Sequence, residues 1–108
     1  MAYQTHYPRK KVSSIDPRVD SRIRVVGVVV DKKENTVVID DGSGKIKAFV
    51  DTPSILERMG INQIVRVFGI VLPTESDLEI KADIVQDLSG MDINLYKKVD
   101  ELYNRVGV

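Results

Sequence analysis

At 108 residues the chain is long enough for one modest hydrophobic core and too short for two domains of ordinary size. Sixteen Lys/Arg against sixteen Asp/Glu give a formal net charge of zero, which excludes a strongly basic surface overall and so removes the main source of tight nucleic-acid affinity. The absence of cysteine excludes disulfides, thiolate metal sites and a cysteine nucleophile, and fits a reducing interior. No apolar run approaches the roughly 20 residues that span a bilayer, and no apolar signal segment follows Met1. The expectation is a soluble intracellular protein with no membrane partner. The charge is uneven, however. Arg9 to Lys33 holds eight Lys/Arg against three Asp, and the remainder holds eight against thirteen acids.

Residues 1–20, with Pro8, Pro17 and "PRKK", read as a basic arm in which "KVSSI" is a candidate short strand. From Arg22 the pattern turns to β: "RIRVVGVVVDKK" is too rich in β-branched residues for a comfortable helix. "TVVID" and "KIKAFV" follow, split by "DGSG", whose glycines supply the positive φ of a tight hairpin turn. In "DTPSILERMG", Thr52 or Asp51 can cap, Pro53 suits the first helical turn and Gly60 ends the helix. "QIVRVFGIVL" is the fourth strand, "PTESD" a turn and "LEIKADIVQDL" the fifth strand.

The first strand's "IRVVGVVV" is echoed by "VRVFGIVL" in the fourth, each with a glycine inside a long strand. Gly27 and Gly69 either bend their strands around a small barrel or accommodate close packing. Five strands in the order β-β-β-α-β-β predict a mainly β fold: the five-stranded OB-fold barrel, with a short helix between strands three and four. The expected division is an arm over 1–20, the barrel over 21–88, and a C-terminal oligomerisation α-helix over 89–108.

The sequence invites several chemistries and supplies none of them fully. "GSGK" at Gly42 to Lys45 lacks the earlier glycine and following Ser/Thr of a phosphate-binding loop, where Ile39 and Ile46 stand instead. Asp40 and Asp41 have the oxygen ligands of a hard cation, but not a calcium loop's spacing. The plainer reading is a turn whose carboxylates bond nearby amides. His6 is the sole histidine, so zinc has no ligand set. No cofactor, metal or catalytic group is expected, and the chain is not read as an enzyme.

On the third strand Lys45, Lys47 and Phe49 alternate with Ile46, Ala48 and Val50. With the second set facing the core, the first offers two cations and a ring to a single strand. Arg22 and Arg24 share a face of the first strand, and Lys32 and Lys33 sit at its end. These seven residues form a candidate weak nucleic-acid site. With no Trp, only 6% aromatics and an acidic "PTESD" loop, the rival reading is a solvated face.

The closing segment is the strongest amphipathic signal. Asp92 is a good N-cap, and Leu95, Val99, Leu102 and Val106 recur at the spacing of a heptad seam that Tyr96 and Tyr103 widen. An isolated helix of about fifteen residues is marginal in water, so its apolar face needs either its own barrel or a partner.

"YPRKKVSSI", "RVVGVVV", "VVIDDGSGKIKAFV", "IVRVFGIV" and "MDINLYKKVDEL" together resemble the smallest-subunit family of replication protein A, the heterotrimeric single-stranded-DNA-binding complex, in its archaeal form. The resemblance covers nearly the whole chain, and the order of arm, barrel and Leu-Tyr helix is its most specific part. It implies a chiefly architectural, non-enzymatic subunit for DNA replication, repair and recombination. Its C-terminal helix would enter a three-helix bundle with larger OB-fold subunits, through Leu95, Tyr96, Val99, Leu102, Tyr103 and Val106. Single-stranded DNA would be met mainly through the complex. The implied location is the archaeal cytoplasm at the nucleoid, or the nucleus in a eukaryote. The alternatives are an autonomous single-strand-binding OB protein using strands one to three, and the small subunit of a telomere-capping complex.

Overall fold

A computed structural model describes residues 7–75 and 77–88. The expected C-terminal helix, with Leu95, Tyr96, Val99, Leu102, Tyr103 and Val106, lies outside the described residues, as does His6.

Five strands form: β1 (Arg22–Lys33), β2 (Thr36–Asp40), β3 (Lys45–Phe49), β4 (Ile64–Pro73) and β5 (Leu78–Asp87). A short helix, α1 (Pro53–Arg58), separates β3 from β4. The strands close in the order β1-β2-β3-β5-β4, with β4 returning to β1, which is the predicted OB topology. All pairings are antiparallel except β3 with β5, which run parallel over three residue pairs.

Period-two alternation places the core. Ile23, Val25, Val29, Val37, Ile39, Ala48, Val65, Val67 and Ile80 are fully buried, joined by Met59 from the segment after α1. Each such side chain is worth about 1.5–3 kcal/mol relative to exposure, so the closed barrel supplies most of the stabilisation. Val12 and Ile15 from the arm pack against the core by the β2–β3 turn, and Ile55 and Leu56 of α1 cover the end where β3 leads into the helix.

β1 is long because it serves two partners. Val28 pairs with Ile64 on one side and Asp40 on the other. Just before this crossing, a Cβ on Gly27 would lie 2.5 Å from the Asp40 carbonyl oxygen. At Gly69, where the β4–β5 register shifts, a Cβ would strike Ile80 and the Lys81 carbonyl. The glycines therefore answer both open readings: they sit at changes of strand course because neighbouring backbone comes too close for a side chain.

Two local expectations are corrected, a strand in the arm and a side-chain cap on α1. "KVSSI" is no strand; Val12–Ser14 forms a single 3-10 turn. Its amides are taken by side chains of the β2–β3 turn, with Val12 N–H donating to Asp41 Oδ2 at 2.8 Å and Ser13 N–H to Ser43 Oγ at 3.1 Å. The helix α1 ends at Arg58, with Gly60 just past its C-cap as expected; the C-cap Met59 takes an extended conformation and buries its side chain in the core. Neither proposed side-chain cap forms; the Thr52 carbonyl accepts the amides of Ile55 and Leu56, both at 3.1 Å.

Candidate nucleic-acid interface

The β3 face arises from simple alternation. Ile46, Ala48 and Val50 point inward, 4% exposed or less, so Lys45 and Lys47 stand exposed and Phe49 half-buried on the outside. The barrel then gives each residue cross-strand neighbours from other parts of the chain. Lys45 lies opposite Asp40 of β2, Lys47 opposite Glu79 of β5, and Phe49 between Thr36 and Lys81. Directly opposite side chains on a sheet have Cβ atoms about 4.5–5.5 Å apart, close enough for each carboxylate to offset its lysine. On the β3 face Asp40 and Glu79 therefore lower the positive potential at Lys45 and Lys47, while Lys33 and Lys81 stand in the Phe49 row.

Its flanking loops are also slight. The β1–β2 connection is a two-residue turn, Glu34–Asn35, with Glu34 at φ 53°. The β4–β5 connection spans four residues, closed by Thr74 N–H on the Asp77 carbonyl at 2.7 Å, and it carries Glu75 and Asp77. In OB-folds these two loops commonly hold a bound strand against the sheet. Here they are two and four residues long, and the second carries Glu75 and Asp77.

Of the other predicted site residues, Lys33 joins the β3 face through Thr36, whereas Lys32, Arg22 and Arg24 lie elsewhere. A bulge between Val29 and Asp31 reverses the alternation of β1, so Lys32 stands opposite buried Val37 while Lys33 stands opposite half-buried Thr36. Arg22 and Arg24 do share a face, but it belongs to the half of β1 that pairs with β4, opposite Ile70 and Phe68. Going around the barrel through β4 and β5, they lie three strands from β3.

That second surface is built jointly by the arm and the β1–β4 sheet. The arm runs beside the edge of β1 that β2 leaves open: Arg24 N–H donates to the Pro8 carbonyl at 3.0 Å, and Lys10 N–H to the Arg24 carbonyl at 3.1 Å. Arg24 Nη1 donates to the Tyr7 carbonyl at 2.9 Å. The Tyr7 ring meets Phe68 edge-on with centroids 5.4 Å apart, and Arg66 lies 5.7 Å from the Phe68 centroid. The Tyr7 hydroxyl donates to Asp83 Oδ2 at 3.0 Å. That hydrogen bond raises the phenol pKa, burial and the Asp83 charge add to it, and Arg22 acts in the opposite sense. Among the described residues 7–24 there are six Lys/Arg and two Asp. Lys10 pairs with Asp20 at 3.3 Å, and Arg18 is held on Asp16 by two bonds of 3.1 Å.

One carboxylate adds a further anchor for the arm at the β2–β3 turn. Asp41 Oδ1 accepts from Ser43 N–H at 2.8 Å, Ser43 Oγ at 2.7 Å and Gly44 N–H at 3.2 Å, while Oδ2 takes the Val12 amide. Burial alone raises its pKa, but these donors outweigh burial and leave it below the ordinary carboxylate value. The pair Asp40/Asp41 thus forms an amide-binding turn, with Asp40 Oδ1 accepting from Gly42 N–H at 2.8 Å. The β1–β4 face was partly readable, since Arg66 and Phe68 fall on one side of an alternating strand. The arm's place against β1 has no local signal.

No protein-family model and no curated protein matches the sequence. Solved structures do match in fold. A chain from an OBody bound to hen egg-white lysozyme aligns with a TM-score of 0.64 and 18% identity, over 82% of this chain and 97% of that one. A chain of a replication protein A heterotrimer bound to ssDNA aligns with a TM-score of 0.61 and 18% identity, over 80% of this chain and 72% of that one. The telomere capping protein Ten1 from Saccharomyces pombe gives a TM-score of 0.66 and 15% identity, over 80% and 85% of the respective chains. At such identities the likeness is one of fold: the chain is similar to these proteins in being an OB barrel.

Proposed function

We propose that the chain is a non-enzymatic assembly subunit of a replication protein A-like single-stranded-DNA-binding heterotrimer. Residues 89–108 are its docking helix and 21–88 its barrel, and its own contact with DNA is auxiliary. The observation that carries this reading is the strand-binding face itself. Its two lysines are offset by Asp40 and Glu79, and its flanking turns are too short to clamp a ligand. A barrel of this kind is poorly equipped as an autonomous binder. Meanwhile the sequence devotes Leu95, Val99, Leu102 and Val106, at heptad spacing, to an apolar seam beyond a barrel that five strands already close. The fold likeness to a chain of a replication protein A heterotrimer and to Ten1, both small OB barrels over the aligned region, supports the reading.

The test is co-purification from native extract with the tagged chain, wild type beside Val99→Asp/Leu102→Asp. Two larger OB-containing proteins are expected with the wild type and neither with the variant, while both chains melt at the same temperature. Unfolding of the variant would place the seam in the chain's own core and sink the proposal. Recovery of telomere-end proteins in place of a single-strand-binding trimer would favour the capping-complex alternative.

A further inference from the structure

We infer that the docked arm and the outer face of β1 and β4 form a second site for single-stranded nucleic acid, separate from the β3 face. Its choice of ligand rests on the reading above, that the chain works beside single strands. Phosphates would lie along Arg9, Lys11 and Arg22, and bases against the Tyr7–Phe68 pair.

Three observations converge here. The first is charge. Arm docking lays Arg9 against Arg24 by backbone pairing and brings Lys11 to the β2–β3 turn, while Arg22 stands exposed on the same half of β1. Among the described residues, Asp20 is paired with Lys10 and Asp16 with Arg18, while Asp83 keeps its charge and accepts the Tyr7 hydroxyl. The second is chemistry. Two of the chain's six aromatic residues meet on this surface with arginines beside them: Arg66 lies over the Phe68 ring and Arg24 donates to the Tyr7 carbonyl. Rings interleaved with guanidinium groups suit bases and phosphates in alternation, whereas an acidic peptide would need the cations alone. The third is dependence on folding. The basic residues of the arm belong to this surface only while the arm is docked, and the Val12–Asp41 bond is one of its anchors beside the pairing of Pro8 and Lys10 with Arg24, so an acidic residue helps to assemble a basic site.

That last point gives the test its sign. The full-length chain is titrated into a fluorescein-labelled oligo-dT of about 15 nucleotides, near the upper site size of one OB-fold, and anisotropy is read at several salt concentrations. Lys11→Glu/Arg22→Glu is expected to weaken binding on the order of tenfold and to flatten the log–log salt slope by about 1.4, two phosphate contacts at roughly 0.7 each. Lys45→Glu/Lys47→Glu is expected to weaken it less than about threefold, since those lysines are already offset. Asp41→Ala removes a negative charge, so general electrostatics requires tighter binding; assembly of the site by the docked arm requires weaker binding instead. Val12→Pro deletes the donor, leaves every charge in place and is expected to weaken binding alike. Thermal melts confirm that each variant is folded.

Wild-type-like binding by Lys11→Glu/Arg22→Glu would overturn the site, as would tighter binding by Asp41→Ala or no wild-type binding at low salt. A poly-Glu peptide that displaces the oligonucleotide at equal charge concentration would overturn the nucleic-acid assignment in favour of acidic protein. Partner capture by the C-terminal segment is read in its own assay. Lost strand binding with intact capture therefore counts against this site alone, and the converse against the assembly reading alone.

Discussion

The two outward surfaces of this barrel differ in how their charges are arranged, although both are built from alternating strands. On β3 each lysine faces a carboxylate supplied by a different strand, Asp40 or Glu79. On β1 the arginines face Ile70 and Phe68, and the arm adds further cations beside them. A lysine count would rate the first surface as a nucleic-acid face; the register of its neighbours weakens that rating. Electrostatic character here belongs to pairs of strands, not to a strand read singly.

The comparison depends first on the barrel, and Gly69→Val should break both surfaces together. Its Cβ would drive into Ile80 and the Lys81 backbone, and overpacking of that kind costs about 3 kcal/mol. A shift of the urea midpoint, with loss of arm protection at the same denaturant concentration, would show this; an unchanged midpoint would mean that the sheet can part at this point.

A smaller effect separates the arm from the barrel. Asp41 has a lowered pKa in the folded state, so its contribution to stability is fully present above the unfolded value of 3.8 and is lost as pH falls through the lower folded value. Arm docking should therefore persist down to the ordinary carboxylate range and loosen below it, seen as faster exchange of the Val12 amide. Asp41→Asn should remove that acid dependence, and Tyr7→Ala should leave it in place. Tyr7→Ala itself gives up the edge-on contact with Phe68 and the bond to Asp83, about 1 kcal/mol in all. The expected readout is faster tryptic cleavage after Arg9, Lys10 and Lys11 with little change in the barrel's melting temperature.

The finest test reverses the logic of the β3 face. Asp40→Asn/Glu79→Gln should uncover Lys45 and Lys47 and raise strand affinity severalfold, about 1 kcal/mol, with a steeper salt slope. If affinity does not rise, the cross-strand acids are not what silences that face.

How much of this was visible in the sequence follows from the range of the forces involved. The β2–β3 hairpin was legible because its turn and its alternation are local, and so was the order of elements along the chain. The end of α1 was legible too, from Gly60 just past its C-cap, whereas the burial of Met59 in the core was not. The arm's 3-10 turn was misread as a strand because its hydrogen-bond partners, Asp41 and Ser43, lie about thirty residues away. Lys45 and Lys47 were correctly placed outside, but Glu79 reaches Lys47 only through the β3–β5 pairing, which no local pattern announces. Arg22 and Arg24 were grouped with them by charge alone, and barrel closure puts them elsewhere.

That same β3–β5 pairing has a consequence for how the chain folds. It joins residues 47–49 to residues 79–81 by three parallel rungs. Bringing such ends together across about thirty residues costs on the order of 3 kcal/mol of chain entropy, a cost that three rungs barely offset on their own. The hairpins on either side can form early, while this closure waits for both. The barrel should accordingly fold in milliseconds to seconds, as other non-local β topologies do, and lengthening the α1 segment should slow refolding while leaving unfolding almost untouched.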